Sequence, residues 1–131
     1  MRTNVFRYGI ILNAQNYNEC VAFYRDLFEL PVLFEKNDGD FQLTCFEYGH
    51  GYLMVEQGGT AKIDGKTIEE SSFKLRFNVS DIVKALAEIQ SWGIKASISE
   101  NPWGRVINIY DPDGNRVGVR DESGFVQQIT A

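Results

Sequence analysis

The chain has 131 residues, a formal net charge of −5 and a hydrophobic fraction of 44%. Domains commonly contain about 100–150 residues, so this length predicts a single domain with a buried core. Nucleic-acid-binding proteins normally carry a basic patch, and an acidic chain without a long run of lysine or arginine excludes that class. No segment approaches the roughly 18 apolar residues of a membrane span, and the opening segment does not have the pattern of a signal peptide. We therefore expect a cytoplasmic protein.

The first half of the chain predicts the element order βαβββ. An apolar run over 5–13 has strand length, and the segment 14–30 that follows has helical spacing. Three strand candidates come next, separated by the turn signals NDGD and GHG. Their sequences are PVLFEK, DFQLTCFEY and YLMVEQ. Cys20 and Cys45 fall among apolar residues in no CxxC arrangement, and we expect both to be free thiols in the core.

The second half repeats the same order after a linker. The segment 58–72 is polar, glycine-rich and without periodicity. A strand FKLRFNV follows, then a helix for which Ser80 is a candidate N-cap and Gly93 a candidate for positive φ after the last turn. The remaining strand candidates are IKASIS, RVINIY and RVGVRD. We expect an α+β fold made of two βαβββ modules, about 5–57 and 73–122.

Strict alternation in the strands predicts which side chains share a face of the sheet. Phe6, Tyr8 and Phe73 begin apolar sets that are expected to face the helices. The opposite face is expected to carry five cations with Glu56 as the main opposing charge; they are Arg7, Lys74, Arg76, Arg116 and Arg120. Such a surface favours an anionic ligand if it lines a cleft, and an ordinary solvated polar face is the alternative.

Two segments, CVAFYRDLFELPV and PWGRVINIYDPDGNRV, together with the duplicated order, resemble the vicinal-oxygen-chelate superfamily of glyoxalases, bleomycin-resistance proteins and extradiol dioxygenases. The resemblance covers nearly the whole chain, although Glu29 replaces the usual glycine of the first segment. It implies a glyoxalase-like fold in which two modules form a cupped eight-stranded mixed sheet with helices on the outer face. It also implies a homodimer, because many relatives complete their clefts across two chains.

In metal-dependent relatives, four central strands each supply a histidine or a glutamate to a metal ion. The matching positions here are Gly9 (or Tyr8 in a shifted register), Glu56, Lys74 and Gly118. Only Glu56 is a common metal ligand, and the single histidine, His50, lies in a predicted turn. A transition metal usually needs three or more protein ligands, so we expect no metal site and no cofactor.

The residues that remain favour a binding protein. The resemblance implies that Lys74 lies near the place of the metal, where its ammonium would pair with Glu56; we treat these two as the candidate catalytic residues. The alternative is a structural salt bridge that closes a disused site. The candidate ligand-binding residues are polar or aromatic side chains expected at the cleft: Arg76, Arg120, Tyr52, Trp103, Asn108 and Tyr110. For Trp103, a dimer contact is the alternative.

The predicted function is binding of a small anionic or aromatic molecule without a metal, as drug-sequestering members of the resembling family do. The alternative is an enzyme of the lyase, isomerase or dioxygenase type. Such an enzyme would use either Glu56 as a general base or an unrecognised metal site. A third possibility is a regulatory domain with a vestigial cleft.

Overall fold

The computed structural model describes all residues from Met1 to Ala131. They form two compact units, Met1–Ile63 and Asp64–Ala131, and the division falls inside the predicted linker. Each unit contains one four-stranded mixed sheet, which confirms the predicted two-module α+β architecture. None of the helices has the length and apolar character that crossing a membrane requires.

The first unit has one helical segment and four strands. Its elements are β1 (Gly9–Ala14), α1 (Tyr17–Ala22), a π-helical turn (Phe23–Leu27), β2 (Val32–Asp38), β3 (Phe41–Tyr48) and β4 (Gly51–Gln57). The strand order is β1-β4-β3-β2, with β1 parallel to β4 and the other pairs antiparallel. Leu53 and Val55 on β4 are fully buried, as the alternation predicts. Cys20 and Cys45 are buried free thiols, as expected.

The first helix changes geometry before it ends. The π-helical turn over Phe23–Leu27 accommodates one more residue than an α-helical turn, and the N–H of Phe28 donates to the carbonyl oxygen of Phe23 at 3.4 Å. Phe23 and Tyr24 are buried within it. The chain then leaves through Glu29, the only non-glycine residue with positive φ, at 55°.

The first strand of each module begins later than predicted. β1 starts at Gly9, and Phe6 and Tyr8 expose 89% and 71% of their surface. Phe73 precedes the second module's first strand and exposes 67%. The expectation that these three residues face the helices was wrong: the alternating sequence continues before the first residues of β1 and β5, where these side chains are exposed.

The second unit has two helices and four strands. Its elements are β5 (Lys74–Val79), α2 (Ile82–Ser91), β6 (Ile98–Asn101), β7 (Gly104–Tyr110), β8 (Arg116–Asp121) and α3 (Glu122–Thr130). The strand order is β5-β8-β7-β6, and only β5 and β8 are parallel. The C-terminal helix α3 was not anticipated from the sequence. The apolar side chains Val117 and Val119 of β8 are buried, as predicted.

Both helices of this unit are capped by aspartates. Asp81, and not Ser80 as predicted, is the N-cap of α2, where its carboxylate accepts from the N–H of Lys84 at 3.0 Å. Asp121 caps α3 and accepts from the N–H of Gly124 at 3.1 Å. Gly93 has the expected positive φ, 81°, after α2.

Candidate functional site

One face of the second unit's sheet carries four basic side chains, as the alternation predicts. In the parallel β5–β8 pair, Lys74 lies opposite Arg116, and two residues further along Arg76 lies opposite Gly118. Arg120 follows on the same face of β8. We call this surface, defined by Lys74, Arg76, Arg116 and Arg120, the cationic face. The fifth predicted cation, Arg7, belongs to the first unit.

Gly118 determines how the long side chains lie on the cationic face. A Cβ atom at position 118 would lie 3.0 Å from Lys74 Cε and 3.2 Å from Arg76 Nε. Contacts this short require a neighbour to move. The missing side chain on β8 therefore leaves a shallow channel, and the stems of Lys74 and Arg76 cross the strand along it.

Lys74 reaches across β8 to the next strand. Its Nζ donates to the amide oxygen of Asn108 on β7 at 2.6 Å, and Asn108 is directly paired with Gly118. Desolvation of the side chain, together with the positive charges of Arg76 and Arg116, lowers the pKa of Lys74. The amide of Asn108 is neutral, so it orients the amine without the charge stabilisation that a carboxylate would provide.

A cavity of about 190 Å³ opens beside this hydrogen bond. Its walls combine the two opposed cations with an amide, a phenol and two aliphatic residues; the lining residues are Lys74, Asn108, Ile109, Tyr110, Arg116 and Val117. The alternation along β8 predicted that Arg116 lies on the cationic face, but Arg116 was not among the predicted ligand-binding residues. The cavity thus adds Arg116 to a predicted set that already contained Lys74, Asn108 and Tyr110.

Backbone carbonyls hold Arg116 in place. Its Nη2 donates to the carbonyl oxygens of Ser71 at 3.2 Å and Phe73 at 3.1 Å, both in the segment that leads into β5. Its Nε is buried and has no hydrogen-bond partner in the protein. Carbonyl oxygens are dipoles and carry no full negative charge, so the positive charge of this guanidinium is not neutralised by these contacts.

The DPDGN turn positions the other end of the cavity. Tyr110 and Arg116 are directly opposite each other where β7 and β8 meet the turn. One carboxylate oxygen of Asp111 accepts from the N–H groups of Asp113 and Asn115, both at 2.9 Å. Gly65, at φ 93°, lies so close to the Tyr110 ring that a Cβ atom there would clash with it. The turn motif therefore has a structural role that fixes two cavity residues.

Trp103 and Arg120, both predicted to bind ligand, form a cluster outside the cavity lining. Arg120 is only 4% exposed, its Nη2 donates to the carbonyl oxygen of Trp103, and its Cζ lies 4.8 Å from the Trp103 ring centroid. The Arg120 guanidinium also lies 5.3 Å from the Phe125 ring of α3. Arg76 approaches the same Trp103 ring at 5.7 Å. These contacts fix the β6–β7 turn against α3.

Tyr52 and Glu56, the two predicted site residues of the first unit, share one face of β4. Tyr52 is paired with Gly9 on β1, and its ring occupies the space that a side chain at position 9 would need. Glu56 is paired with Asn13 and Leu43. The pairing of Glu56 with Lys74 stays a prediction.

The residues present do not fit the metal centre of metal-dependent relatives. Nowhere does the chain gather three or more histidine, cysteine, aspartate or glutamate side chains that could hold a metal ion. Gly9 and Gly118 offer no ligand atom, and the space above them is taken by Tyr52 and by Lys74 with Arg76.

Residues 6–123 match the model of the family described as "Glyoxalase-like domain". The chain belongs to this glyoxalase-like family. A curated relative, the uncharacterized protein YraH of Bacillus subtilis (strain 168), is 27% identical over 119 residues, which cover 84% of this chain and 93% of YraH. Membership confirms the resemblance inferred from the sequence motifs.

Solved structures share the fold of this glyoxalase-like protein at low identity. Lactoylglutathione lyase from Agrobacterium tumefaciens has a TM-score of 0.67 at 19% identity, covering 93% of this chain and 96% of its own. TnmS3, an antibiotic-binding protein from Streptomyces sp. CB03234, has a TM-score of 0.70 at 18% identity, with coverages of 92% and 98%. FosX, a fosfomycin resistance protein from Listeria monocytogenes, has a TM-score of 0.72 at 15% identity over 100% of both chains. These similarities establish the fold alone.

Proposed function

We propose that this glyoxalase-like protein binds a small organic anion in the cavity of its second unit, without a metal. The observation that carries the proposal is the opposition of Lys74 and Arg116 across the β5–β8 pair, both lining one cavity. Each is held by neutral groups, Lys74 by an amide and Arg116 by backbone carbonyls. Desolvation and, after it, repulsion from Arg76 and Arg116 lower the pKa of Lys74, and an anion placed between Lys74 and Arg116 would offset that repulsion.

The size and lining of the cavity limit the ligand. Pockets that enclose drug-sized molecules measure about 300–1,000 Å³, whereas this cavity measures about 190 Å³. It suits a carboxylate or phosphonate group with a short carbon body. The Tyr110 ring is 49% exposed and offers a flat apolar wall with a polar tip, which suits a planar or conjugated body.

The proposal is tested by calorimetric titration with benzoate, pyruvate and inorganic phosphate at low ionic strength. We expect at least one of these anions to bind, with an affinity that falls as salt is added. Lys74→Met and Arg116→Met should each weaken binding about tenfold or more. Lys84→Met removes the same charge from an exposed position of α2 and is the matched control. Equal affinities in all four proteins, or no binding of any anion by the unaltered chain, would contradict the proposal.

Glu56 is assigned no contact with the ligand in this proposal. Its predicted role as a base or as the partner of Lys74 is tested by Glu56→Gln in the same titration. Weakened anion binding would support a shared site, and unchanged binding would separate Glu56 from the ligand.

We also propose a cytoplasmic homodimer. Support for the dimer comes from the large apolar side chains that the first unit exposes, above all Phe6 and Tyr8. Sedimentation velocity tests the dimer, and Phe6→Ser with Tyr8→Ser should shift the protein toward monomer if these residues contribute to the interface.

A further inference from the structure

We propose that the Lys74 amine forms an imine with small 2-oxo acids in this cavity, so that the bound anion is a carbonyl-bearing carboxylate. The inference rests on the proposed function, because it places the anionic group of the ligand in the same cavity. It adds a covalent step and a substrate class, the short-chain 2-oxo acids.

Lys74 and Arg116 are direct partners in the parallel β5–β8 pair, with side chains on the same face. Lys74 Nζ reaches Asn108 on β7, whereas the Arg116 guanidinium reaches the carbonyl oxygens of the segment that leads into β5. Both side chains line the same cavity of about 190 Å³, so a small ligand in it lies between them. A 2-oxo acid carries its carboxylate and its carbonyl on adjacent carbon atoms. With the carboxylate at Arg116, the carbonyl carbon is brought toward Lys74.

The surroundings of Lys74 also favour a nucleophilic amine. A lysine attacks a carbonyl only as the free amine, and nearby cations or desolvation increase the population of that form. Arg76 and Arg116 supply the cations, and Asn108 orients Nζ through a hydrogen bond of 2.6 Å. The residue as a whole is exposed, so a small carbonyl compound has access from solvent.

The covalent step balances without an added oxidant or reductant. The nitrogen lone pair attacks the carbonyl carbon, a C–N bond forms, and the proton released by nitrogen moves to the carbonyl oxygen. The resulting carbinolamine then loses its hydroxyl group as water, together with the second nitrogen proton, and leaves a C=N bond. Arg116 keeps the carboxylate bound throughout and positions the carbonyl carbon.

The test uses pyruvate and sodium cyanoborohydride with the full chain at neutral pH, followed by peptide mass spectrometry. Hydride from the reagent reduces the imine carbon and nitrogen takes a proton, so each labelled lysine gains the mass of pyruvic acid less one oxygen atom. The five other lysines, Lys36, Lys62, Lys66, Lys84 and Lys95, are internal controls. We expect the Lys74 peptide to be labelled about tenfold faster than any of them, because its lowered pKa and the carboxylate held at Arg116 both favour the reaction of its amine.

Two comparisons separate the imine from simple anion binding. Lys74→Arg keeps the positive charge but removes the nucleophilic amine, so it should abolish the fast labelling while weakening pyruvate binding less than Lys74→Met does. Arg116→Met should remove the preference for pyruvate over acetone, which lacks the carboxylate. Circular dichroism confirms that each variant is folded.

The outcomes are distinct for the two proposals. Fast labelling confined to Lys74 and dependent on Arg116 supports the imine. Labelling spread evenly over all six lysines, with pyruvate still bound non-covalently, overturns the imine and leaves the anion-binding proposal in place. Even labelling together with no binding of pyruvate, benzoate or phosphate overturns both.

Discussion

Lys74 and Asn108 are joined across an intervening strand, because the hydrogen bond from Nζ to the amide oxygen passes over Gly118 of β8. Three adjacent strands thus contribute one residue each to a single contact. A bulkier residue at 118 would close the channel, and a carboxylate at 108 would change the charge balance of the amine. The effect of a carboxylate at position 108 on the pKa of Lys74 can be measured directly.

Asn108→Asp should raise the pKa of Lys74, because an opposite charge within hydrogen-bonding distance favours the protonated amine. The lysine in the unaltered chain has a pKa below its ordinary value. A rise of one unit leaves about tenfold less free amine at a given pH below the pKa. Reductive methylation of Lys74, followed by mass spectrometry from pH 7 to 10, should therefore slow about tenfold at the lower end.

Asn101→Asp is the control for this experiment, since it adds the same charge at the end of the edge strand β6. It should leave the methylation rate of Lys74 within about twofold, because β6 lies three strands from β5, about 14 Å away, and charges separated by more than about 10 Å are largely screened in ordinary buffer. Equal slowing in the two variants would show that net charge, and not the Lys74–Asn108 contact, governs the amine.

Alternation in the strands predicted the faces of both sheets, and with them most of the cationic face. It could not predict where a strand begins, since Phe6, Tyr8 and Phe73 continue the apolar pattern before the first residues of β1 and β5. Ser80 and Asp81 are both good caps, and only the geometry of the first turn distinguishes them.

The cavity was harder to predict than the face on which it lies. The alternation of side chains along β8 placed Arg116 and Gly118 on the correct face. The path of the Lys74 side chain, however, depends on the space above Gly118 and on the acceptor Asn108, two strands away. Arg120 shows the opposite error. The same alternation predicted that Arg120 contacts the ligand, whereas its guanidinium is buried against Trp103 and Phe125.

Trp103→Leu should lower the free energy of unfolding by about 1–2 kcal/mol more than Trp92→Leu. The two tryptophans are similarly exposed, at 37% and 44%, but only Trp103 stacks on the buried guanidinium of Arg120. Losing that ring leaves a buried cation with fewer partners. Urea denaturation of both variants measures the difference. Equal losses of unfolding free energy would show that the cation–π contact does not stabilise this unit.

Asp121 should stabilise the protein at neutral pH but not in strong acid. Desolvation alone would raise the pKa of its carboxyl group, but hydrogen bonds from the N–H groups of Arg105 at 2.8 Å and Gly124 at 3.1 Å lower the net pKa. The contribution is therefore present above the unfolded-state pKa, near 4, and is lost as pH falls through the lower folded-state pKa.

Asp121→Asn is expected to cost about 1 kcal/mol at pH 7, because the amide has one accepting oxygen where the carboxylate uses both, for the N–H groups of Arg105 and Gly124. The difference from the unaltered chain should shrink as the pH is lowered below about 4. Chemical denaturation at several pH values measures it. Asp40→Asn, in an exposed turn, is the control and should change stability little. A pH-independent cost would mean that the charge of Asp121 is not what stabilises α3.

Glu29→Gly should stabilise the protein by about 1 kcal/mol. Glu29 has φ 55°, and left-handed backbone costs a residue with a Cβ atom roughly 1–2 kcal/mol relative to glycine. Part of that gain is offset because glycine is more flexible in the unfolded chain. The left-handed residue follows the end of the helical segment, where the N–H of Leu30 donates to the carbonyl oxygen of Tyr24 at 3.2 Å.

Glu47→Gly on β3 is the matched substitution, because Glu47 is exposed and lies in an extended strand. Glycine there should destabilise the protein by about 0.5–1 kcal/mol. Opposite signs for the two variants in urea denaturation would locate the effect in the backbone conformation of Glu29. A loss of stability in both would show instead that the Glu29 side chain makes a contribution larger than its conformational strain.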